Sequence, residues 1–255
     1  MSNPRLPLIV LLGPTASGKT SLAVALAANL QAEIISADSR QLYKNLDIGT
    51  GKDLNEYQLN DQQIPIHLID TLEIGTPYSV AHFQFDAFHK ILEIENRNNP
   101  VIICGGSGLY IESLLKDYTF SELPPFLEKS IELNRKFIVF GLEPPYEERR
   151  ERCANRLMSR IEEGLIDEGE RLLQMGVSFE QLRWLGLEYK WLADLLEGKI
   201  NKDAFIKGLT IAIQQYAKRQ MTFFRKMEKN GIVIHWIPFS LSKKQRVEWM
   251  KKYIF

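Results

Sequence analysis

Gly13-Pro14-Thr15-Ala16-Ser17-Gly18-Lys19-Thr20 is the stretch that decides the fold of this chain. Its pattern of Gly, four residues and then Gly-Lys-Thr is that of a phosphate-binding loop. An apolar run, Leu8–Leu12, precedes the loop and a helical pattern over residues 21–30 follows it, which is the strand–loop–helix context that the pattern requires. Because an accidental glycine-rich turn needs neither flank, we predict a site for a compound that carries two or more phosphates.

The phosphate loop also assigns a role to each of its residues. Backbone N–H groups point at phosphate oxygens beside the positive end of the following helix. We expect the diphosphate to be held by Gly13, Pro14, Thr15, Ala16, Ser17, Gly18, Lys19 and Thr20. Lys19 would lie among the outer phosphates, and the Thr20 hydroxyl would hold Mg²⁺. ATP binding and hydrolysis, kinase chemistry and departure of pyrophosphate all use this arrangement, so other residues must distinguish them.

Composition describes an ordinary globular α/β protein of one domain spanning residues 1–255. The chain is 45% hydrophobic and 25% charged, and its 32 basic and 32 acidic residues balance to zero net charge. A general basic coat for nucleic acid is therefore excluded, and any such contact must come from a local patch. Two cysteines without metal-ligand spacing suit the reducing cytoplasm, and no apolar run is long enough to span a membrane.

Strand and helix patterns alternate along the chain. This alternation predicts a P-loop NTPase-like, doubly wound fold with a mostly parallel sheet and helices on both faces. Strands are predicted near residues 32–37, 64–70 (an edge strand), 100–105, 136–142 and 232–236. Helices are predicted over residues 79–97, 146–175 with a break near Gly164, 201–229 with a basic bias, and 242–253. Residues 53–65 are predicted to be a solvated excursion, and a stripe containing Trp184 to lie in the core.

Asp38 follows the second predicted strand, at the edge of the sheet where doubly wound proteins bind ligands. A carboxylate beside a diphosphate site can act as a general base, bind magnesium or simply close the strand in a turn. Ser39, Arg40 and Gln41 come next and supply hydrogen-bond donors able to read the edge of a base. Taken together with the loop, the functional interpretation of Asp38 is favoured over the turn.

Several further motifs resemble the tRNA dimethylallyltransferase (isopentenyltransferase) family in the same order as the loop. Each is weak alone, but their order is specific and the likeness runs from about residue 8 to residue 236. They are Ile35-Ser-Ala-Asp-Ser-Arg-Gln41, residues 43–44, Leu46-Asp-Ile-Gly-Thr-Gly-Lys52, residues 77–79, Gly105-Gly-Ser-Gly-Leu-Tyr110, Leu185-Gly-Leu-Glu-Tyr189 and Tyr216-Ala-Lys-Arg-Gln220.

The resemblance implies a reaction and a set of roles. The family transfers a dimethylallyl group from dimethylallyl diphosphate to N6 of an adenine in the tRNA anticodon loop. Asp38 would be the general base, Arg219 would neutralise the departing pyrophosphate, and Lys19 would assist. The tRNA around the target base would be contacted by Ser39, Arg40, Gln41 and Ser107, where Ser107 replaces the usual Thr. The resemblance implies Mg²⁺ as cofactor, and we expect a cytoplasmic monomer.

The chain departs from the family pattern between the Gly-Gly motif and the next strand. The family carries a long helical insertion there that grips the anticodon stem-loop and contains an Asp-Pro-x-Arg-x-x-Arg signature. Here residues 117–136 form a shortened connection without that signature. The sequence does not distinguish a naturally shortened paralogue from a chain from which the insertion has been removed. Transfer to a free adenine nucleotide, a small-molecule kinase, and a non-catalytic nucleotide- or RNA-binding protein therefore remain as alternatives to tRNA modification.

Overall fold

The computed structural model describes residues 6–59, 62–120 and 135–255. Its strands are β1 (Leu8–Leu12), β2 (Glu33–Ala37), β3 (Gln58–Leu59), β4 (Gln62–Gln63), β5 (Ile66–His67), β6 (Val101–Gly105), β7 (Phe137–Gly141) and β8 (Ile234–Trp236). Six of these strands form one sheet in the spatial order β5-β2-β6-β1-β7-β8, and every neighbouring pair is parallel. The remaining pair, β3 and β4, is a short antiparallel hairpin.

Helices cover both faces of this sheet. They are α1 (Lys19–Leu30), α2 (Val80–Asn96), α3 (Gly108–Leu115), α4 (Tyr146–Glu162), α5 (Leu165–Gln174), α6 (Phe179–Trp184), α7 (Leu187–Leu196), α8 (Lys202–Lys229) and α9 (Lys243–Ile254). The core on one face includes residues of α1 and α9, and the core on the other includes residues of α2 to α8. The predicted doubly wound α/β fold is confirmed.

Strand β1 shows why the central strands are apolar throughout. Val10 packs into the core on one face, whereas Ile9 and Leu11 pack into the core on the other. Successive side chains of a strand point to opposite faces, so a strand covered on both sides needs apolar residues at every position. In register, Ile9 lies opposite Ile102 of β6 and Ile138 of β7.

The predicted ends of two helices are confirmed by their local geometry. Ser79 caps α2: its hydroxyl accepts from the N–H of His82, while the His82 ring accepts from the N–H of Ser79. Gly164 separates α4 from α5 with a φ of 101°, a left-handed conformation that glycine adopts without a steric penalty.

Two expectations about the middle of the chain are wrong. Residues 53–65 are not simply solvated, because they contain a 3₁₀ helix, Leu54–Tyr57, and the β3–β4 hairpin, and because Tyr57 and Ile64 are buried. Trp184 is not in the core, since 52% of its surface is exposed. The short helices α6 and α7 were not predicted. Most of the expected connection at residues 117–136 lies outside the described residues.

None of the described helices is both long and apolar enough to cross a membrane. Cys104 and Cys153 are both buried free thiols. The core of the protein therefore uses its cysteines as small apolar side chains.

Glu33 at the start of β2 ties the edge of the sheet to the end of α2. Its buried carboxylate accepts hydrogen bonds from Arg97 at 2.7 and 3.0 Å and from Asn99 at 2.8 Å, and it lies 2.6 Å from the His67 ring. Burial opposes ionisation, but these hydrogen bonds outweigh it and lower the pKa of Glu33 to about 2. Since this pKa is depressed on folding, the stabilisation is complete above about pH 4.5 and is lost as the pH falls towards 2.

We expect Glu33→Gln to lower the free energy of unfolding at pH 7 by about 2 kcal/mol, a typical value for hydrogen bonds to a charged group. Urea unfolding at pH 7 and at pH 3 measures the difference, which should shrink at the lower pH because Glu33 becomes protonated in the unfolded chain there, while the native carboxylate is still mostly charged. The exposed Glu147→Gln serves as the control. An equal loss at both pH values would contradict the assignment.

Candidate active site

The phosphate loop connects β1 to α1 at the carboxyl end of the sheet. The loop turns through left-handed conformations at Ala16 (φ 58°) and Gly18 (φ 81°), and the N–H of Ser17 donates to the Pro14 carbonyl at 3.3 Å. Lys19 opens α1, and its Nζ lies 3.4 Å from the same carbonyl oxygen. Burial lowers the pKa of Lys19, while the negative charge of Asp38 acts in the opposite direction.

Two neighbouring strands bring Asp38 and Ser107 to the same edge. A Cβ at Gly105 would lie 2.1 Å from the Ala37 carbonyl oxygen, so β2 and β6 approach each other at a distance that only glycine permits. Beyond them, the N–H of Ser39 donates to the Ser107 hydroxyl at 3.0 Å, and the N–H of Arg40 donates to Asp38 Oδ1 at 3.0 Å. These hydrogen bonds fix the turn that follows β2. Asp38 therefore stabilises this turn and also lies at the edge of the sheet where the site is predicted.

A cavity of about 350 Å³ collects most of the predicted functional residues. Those that line it are Thr15, Lys19, Thr20, Asp38, Ser39, Arg40, Gln41 and Arg219. The loop, the end of β2 and the helix α8 therefore face one space, although Asp38 and Arg219 are far apart in sequence. Ser107 is not part of the lining but supports Ser39 from behind.

A second cavity, of about 290 Å³, lies along the other side of the phosphate loop. It is lined by Ala16, Ser17, Gly18, Lys19, Thr20, Glu56, Arg152, Asn155 and Arg156. The Ser17 hydroxyl is buried next to Gly13, without a hydrogen-bond partner among the described residues. Lys19, Thr20 and Arg156 line both cavities. Gly13 and Pro14 line neither and act as the base of the loop.

The donors at Thr20 fit a magnesium ion that is shared with a phosphate ligand. No group of three His, Cys, Asp or Glu side chains in the described parts of the chain could hold a metal by itself. Mg²⁺ ordinarily keeps several waters and takes few protein ligands together with phosphate oxygens. The Thr20 hydroxyl, which lines both cavities beside Lys19, meets that requirement.

Helix α8 contributes a residue whose role the sequence did not reveal. Gln220 Oε1 accepts from the N–H of Thr15 at 2.8 Å, and its Nε2 donates to the Gly106 carbonyl at 3.0 Å. Its buried amide therefore ties the phosphate loop to the turn after β6. Arg219 and Tyr216 lie on the same helix and also line the larger cavity. The motif at residues 216–220 was noticed, but it pointed only to Arg219.

Helix α4 adds two arginines that sequence analysis missed. Arg156 and Arg160 are one helical turn apart and both line the larger cavity. Arg156 pairs with Asp53 at 2.6 Å, and Arg160 donates to the Gly49 carbonyl at 3.1 Å. Arg160 is only 6% exposed, its burial lowers its pKa, and its Nε has no partner in the described structure. The only available signal was their spacing of four within a strongly charged helix.

The loop over residues 47–52 is held over the larger cavity by buried charges. Glu168 accepts from three successive N–H groups, those of Asp47 at 2.9 Å, Ile48 at 2.7 Å and Gly49 at 3.0 Å. The Tyr189 hydroxyl donates to the same carboxylate at 2.8 Å. The Glu168 carboxylate thus holds the backbone of the loop in place through these hydrogen bonds.

Lys52 and Gly51 complete the attachment of that loop. The buried ammonium of Lys52 donates to the Tyr43 carbonyl at 2.8 Å and to Asp47 at 2.8 Å, and also contacts Asp70. A Cβ at Gly51 would lie 1.7 Å from an Arg160 nitrogen, so only glycine allows the guanidinium to pack here.

Gln41, which lines the larger cavity, also belongs to this support. Its Oε1 accepts from the Ser36 hydroxyl at 2.9 Å, and its Nε2 donates to the Gly51 carbonyl at 3.0 Å. The amide therefore holds the loop, and contact of Gln41 with tRNA stays a prediction.

We expect Glu168→Gln to release the loop over residues 47–52. An amide would face three N–H donors with one oxygen instead of two, so the variant should lose about 2 kcal/mol of stability. It should also raise KM for the acceptor more than it lowers kcat, since the loop lines the cavity without supplying the base. Urea unfolding and steady-state kinetics check both, with the exposed Glu170→Gln on the same helix as control. Unchanged kinetics would contradict the positioning role.

Comparison with known proteins finds relatives over nearly the whole chain. The family model described as IPP transferase matches residues 41–136 and 126–227. The tRNA dimethylallyltransferase 1 of Parabacteroides distasonis is 39% identical over 291 aligned positions, covering 94% of this chain and 95% of that protein. The corresponding enzyme of Azobacteroides pseudotrichonymphae is 40% identical, covering 90% and 92%. Since 291 positions exceed the 255 residues of this chain, the Parabacteroides protein carries residues without a counterpart here.

Two solved structures share the fold over nearly the whole chain. The tRNA delta(2)-isopentenylpyrophosphate transferase of Staphylococcus epidermidis has a TM-score of 0.82 and 28% identity, covering 97% of this chain and 98% of that one. The tRNA isopentenylpyrophosphate transferase of Bacillus halodurans has a TM-score of 0.83 and 26% identity, covering 97% and 95%. Motif order, family model, sequence identity and fold agree, and this chain belongs to the IPP transferase family, the family of the tRNA dimethylallyltransferases.

Proposed function

We propose that the protein transfers a dimethylallyl group from dimethylallyl diphosphate to N6 of an adenine in the anticodon loop of tRNA, releasing pyrophosphate. The observation that carries this proposal is the placement of Asp38 in one cavity with Lys19 and Thr20 of the phosphate loop. A carboxylate near a diphosphate site suits proton removal from an attacking amine. Because a kinase can use the same two groups, the order of the family motifs along the chain favours the amine. The names of the relatives above support the same reaction.

The diphosphate belongs in the second cavity, against the phosphate loop. Loop N–H groups, Lys19 and two arginines of α4 would supply donors or positive charge there. Arg152 and Arg156 complete that wall, and Arg156 reaches the boundary with the larger cavity. The allylic carbon of the donor would then lie near Lys19, Thr20 and Arg156, where the two cavities meet.

The acceptor adenine belongs in the larger cavity, beside Asp38. A base must leave its stack to enter such a cavity, which favours a single-stranded loop as substrate. Arg40 packs against Gly186 at the cavity wall and lies 5.8 Å from the exposed ring of Trp184. Ser39 and Arg40, which line this cavity, would contact nucleotides around the target base, and Ser107 would act through its hydrogen bond with Ser39.

The chemical step exchanges one bond for another. The bond between the allylic carbon and the diphosphate oxygen breaks, and the bond between that carbon and adenine N6 forms. Asp38 accepts one N6 proton as the new bond forms, since the amine lone pair is delocalised into the ring and is a poor nucleophile. The electron pair of the broken bond leaves with pyrophosphate, whose charge Lys19 and Arg156 would balance from both cavities and Arg219 from the larger cavity alone.

Mg²⁺ held by Thr20 and the phosphate oxygens would stabilise negative charge on the leaving group. The contribution of this chain is to present the Thr20 hydroxyl between the two cavities. Removal of divalent ions with EDTA should abolish transfer, and added Mg²⁺ should restore it. Full transfer in EDTA would remove Thr20 from a metal-binding role.

A transfer assay with labelled dimethylallyl diphosphate tests the acceptor. Unmodified tRNA is supplied in one reaction, and AMP, ADP or ATP in the others, each with Mg²⁺. We expect label in tRNA, which would show that the chain binds its substrate without the signature missing from residues 117–136. Label only in a free nucleotide would replace tRNA by the smaller acceptor. Label in neither, with donor binding retained, would indicate a non-catalytic binding protein, and phosphate transfer from ATP would indicate a kinase.

A further inference from the structure

Glu188 is a second carboxylate in the larger cavity, and the reaction outlined above assigns it no role. It is the second residue of α7 and lines the cavity together with Asp38. Burial raises the pKa of Glu188, while the charge of Arg160 and a backbone hydrogen bond at Glu188 act in the opposite direction, and the charge of Asp38 adds a smaller upward effect. Burial and then the charges of Asp38 and Glu188 raise the pKa of Tyr216. All three side chains line the larger cavity.

Arg160 holds Glu188 without using its oxygens. The Nη1 of Arg160 lies 3.9 Å from Glu188 Oε1, which is longer than a hydrogen bond. That nitrogen instead donates to the Gly49 carbonyl at 3.1 Å, and the guanidinium is packed against Gly51. The buried Nε of Arg160 has no partner in the described residues. The positive charge of Arg160 therefore favours the ionised form of Glu188, and Arg160 takes up no hydrogen-bond position on the carboxylate.

The proposed acceptor has a feature that matches two carboxylates. Adenine N6 carries two protons, of which Asp38 removes one during transfer. The nitrogen also gains positive charge as it bonds to the allylic carbon, and that charge is largest before the proton has left. A second carboxylate that accepts the remaining N6 proton would stabilise this charge more in the transition state than in the bound substrate. Guanine presents a carbonyl oxygen at the same position, which two carboxylates would repel.

We propose that Glu188 accepts the second N6 proton of the acceptor adenine, stabilises the positive charge that develops there and excludes guanine. The positions of Glu188 and Asp38 in one cavity carry this assignment, and the 3.9 Å contact with Arg160 leaves Glu188 able to accept a further hydrogen bond. The inference rests on the proposed adenine transfer. Glu188 is thus a second residue that contacts the reacting amine, while Arg160 is a positioning residue.

Glu188→Gln tests the charge, because glutamine keeps the size and one acceptor oxygen. With unmodified tRNA and dimethylallyl diphosphate, we expect kcat to fall at least about tenfold, which is about 1.4 kcal/mol of transition-state stabilisation. KM for dimethylallyl diphosphate should stay within about twofold of wild type. Glu180→Gln is the matched control, because Glu180 is the exposed second residue of α6 and has the same place relative to its helix. Its kinetics should equal those of wild type.

The outcomes separate this inference from the proposed function. If wild type transfers label to tRNA and Glu188→Gln has the same kcat, Glu188 does not contact the amine and the inference is wrong. If the variant loses kcat together with donor affinity and thermal stability, the effect is structural and the inference is also wrong. A selective loss of kcat supports it. Absence of transfer by wild type to any adenine acceptor would instead overturn the proposed function.

Discussion

Asp38→Asn should lower kcat for dimethylallyl transfer by about 10²–10⁴-fold, the usual contribution of a general base. Asparagine preserves the size of the side chain and the oxygen that accepts from the N–H of Arg40, so the turn after β2 should remain. The dissociation constant for dimethylallyl diphosphate should change by no more than about twofold, since the phosphate loop is untouched. Single-turnover kinetics and calorimetric titration of the donor measure the two quantities separately.

The exposed Asp167→Asn is the control for this variant, because it removes the same charge from α5, away from the lining of the two cavities. A loss of kcat in Asp38→Asn without a loss in the control assigns the effect to the site. If Asp38→Asn catalysed transfer at nearly the wild-type rate, Asp38 would not be the general base. Its role would then be limited to stabilising the turn through its hydrogen bond with the N–H of Arg40.

Lys19→Ala should weaken the binding of dimethylallyl diphosphate and of pyrophosphate by about thirtyfold or more. Loss of one partner of a buried charge pair costs about 2 kcal/mol or more, which corresponds to that factor. Lys19 is well placed for this role because it lines both cavities. In the described structure, the only hydrogen bond of its ammonium is a long one to the Pro14 carbonyl, at 3.4 Å. Titration calorimetry with pyrophosphate and Mg²⁺ reports the binding without any chemistry.

Lys190→Ala, an exposed position on α7, provides the matched control and should bind pyrophosphate as wild type does. Equal affinity in Lys19→Ala would remove Lys19 from the diphosphate site. It would also place the donor elsewhere than the phosphate loop, and the assignment of the second cavity would fail with it.

Features that depend on neighbouring residues were predictable from the sequence. The phosphate loop is recognisable because its conformation is set within eight residues and their two flanks. Asp38 could be placed at the ligand edge because a short apolar run ends there, and carboxyl ends of parallel strands meet at one edge. The break at Gly164 and the cap at Ser79 follow equally local rules, and the structure confirms both.

The supporting residues could not be found in this way, because their partners are distant in sequence. Gln220 bonds to Thr15, which is 205 residues away, and Glu168 bonds to Ile48, which is 120 residues away. Helical periodicity identifies an apolar face but does not say which charged residue of α4 faces a cavity, so Arg156 and Arg160 were missed. The prediction for Trp184 failed because helical spacing shows that a residue continues an apolar stripe, but not whether another element covers that end of the stripe. In the fold, Trp184 lies at an end that stays exposed.

Identification of the labelled product tests the central claim most directly. After incubation of the protein with unmodified tRNA, labelled dimethylallyl diphosphate and Mg²⁺, the tRNA is digested and its nucleosides are separated and analysed by mass spectrometry. The account predicts label in one nucleoside, adenosine bearing a dimethylallyl group on N6, derived from an anticodon-loop fragment, with one pyrophosphate released for each group transferred. Label confined to unreacted donor, or attached to any nucleoside other than adenosine, would contradict it.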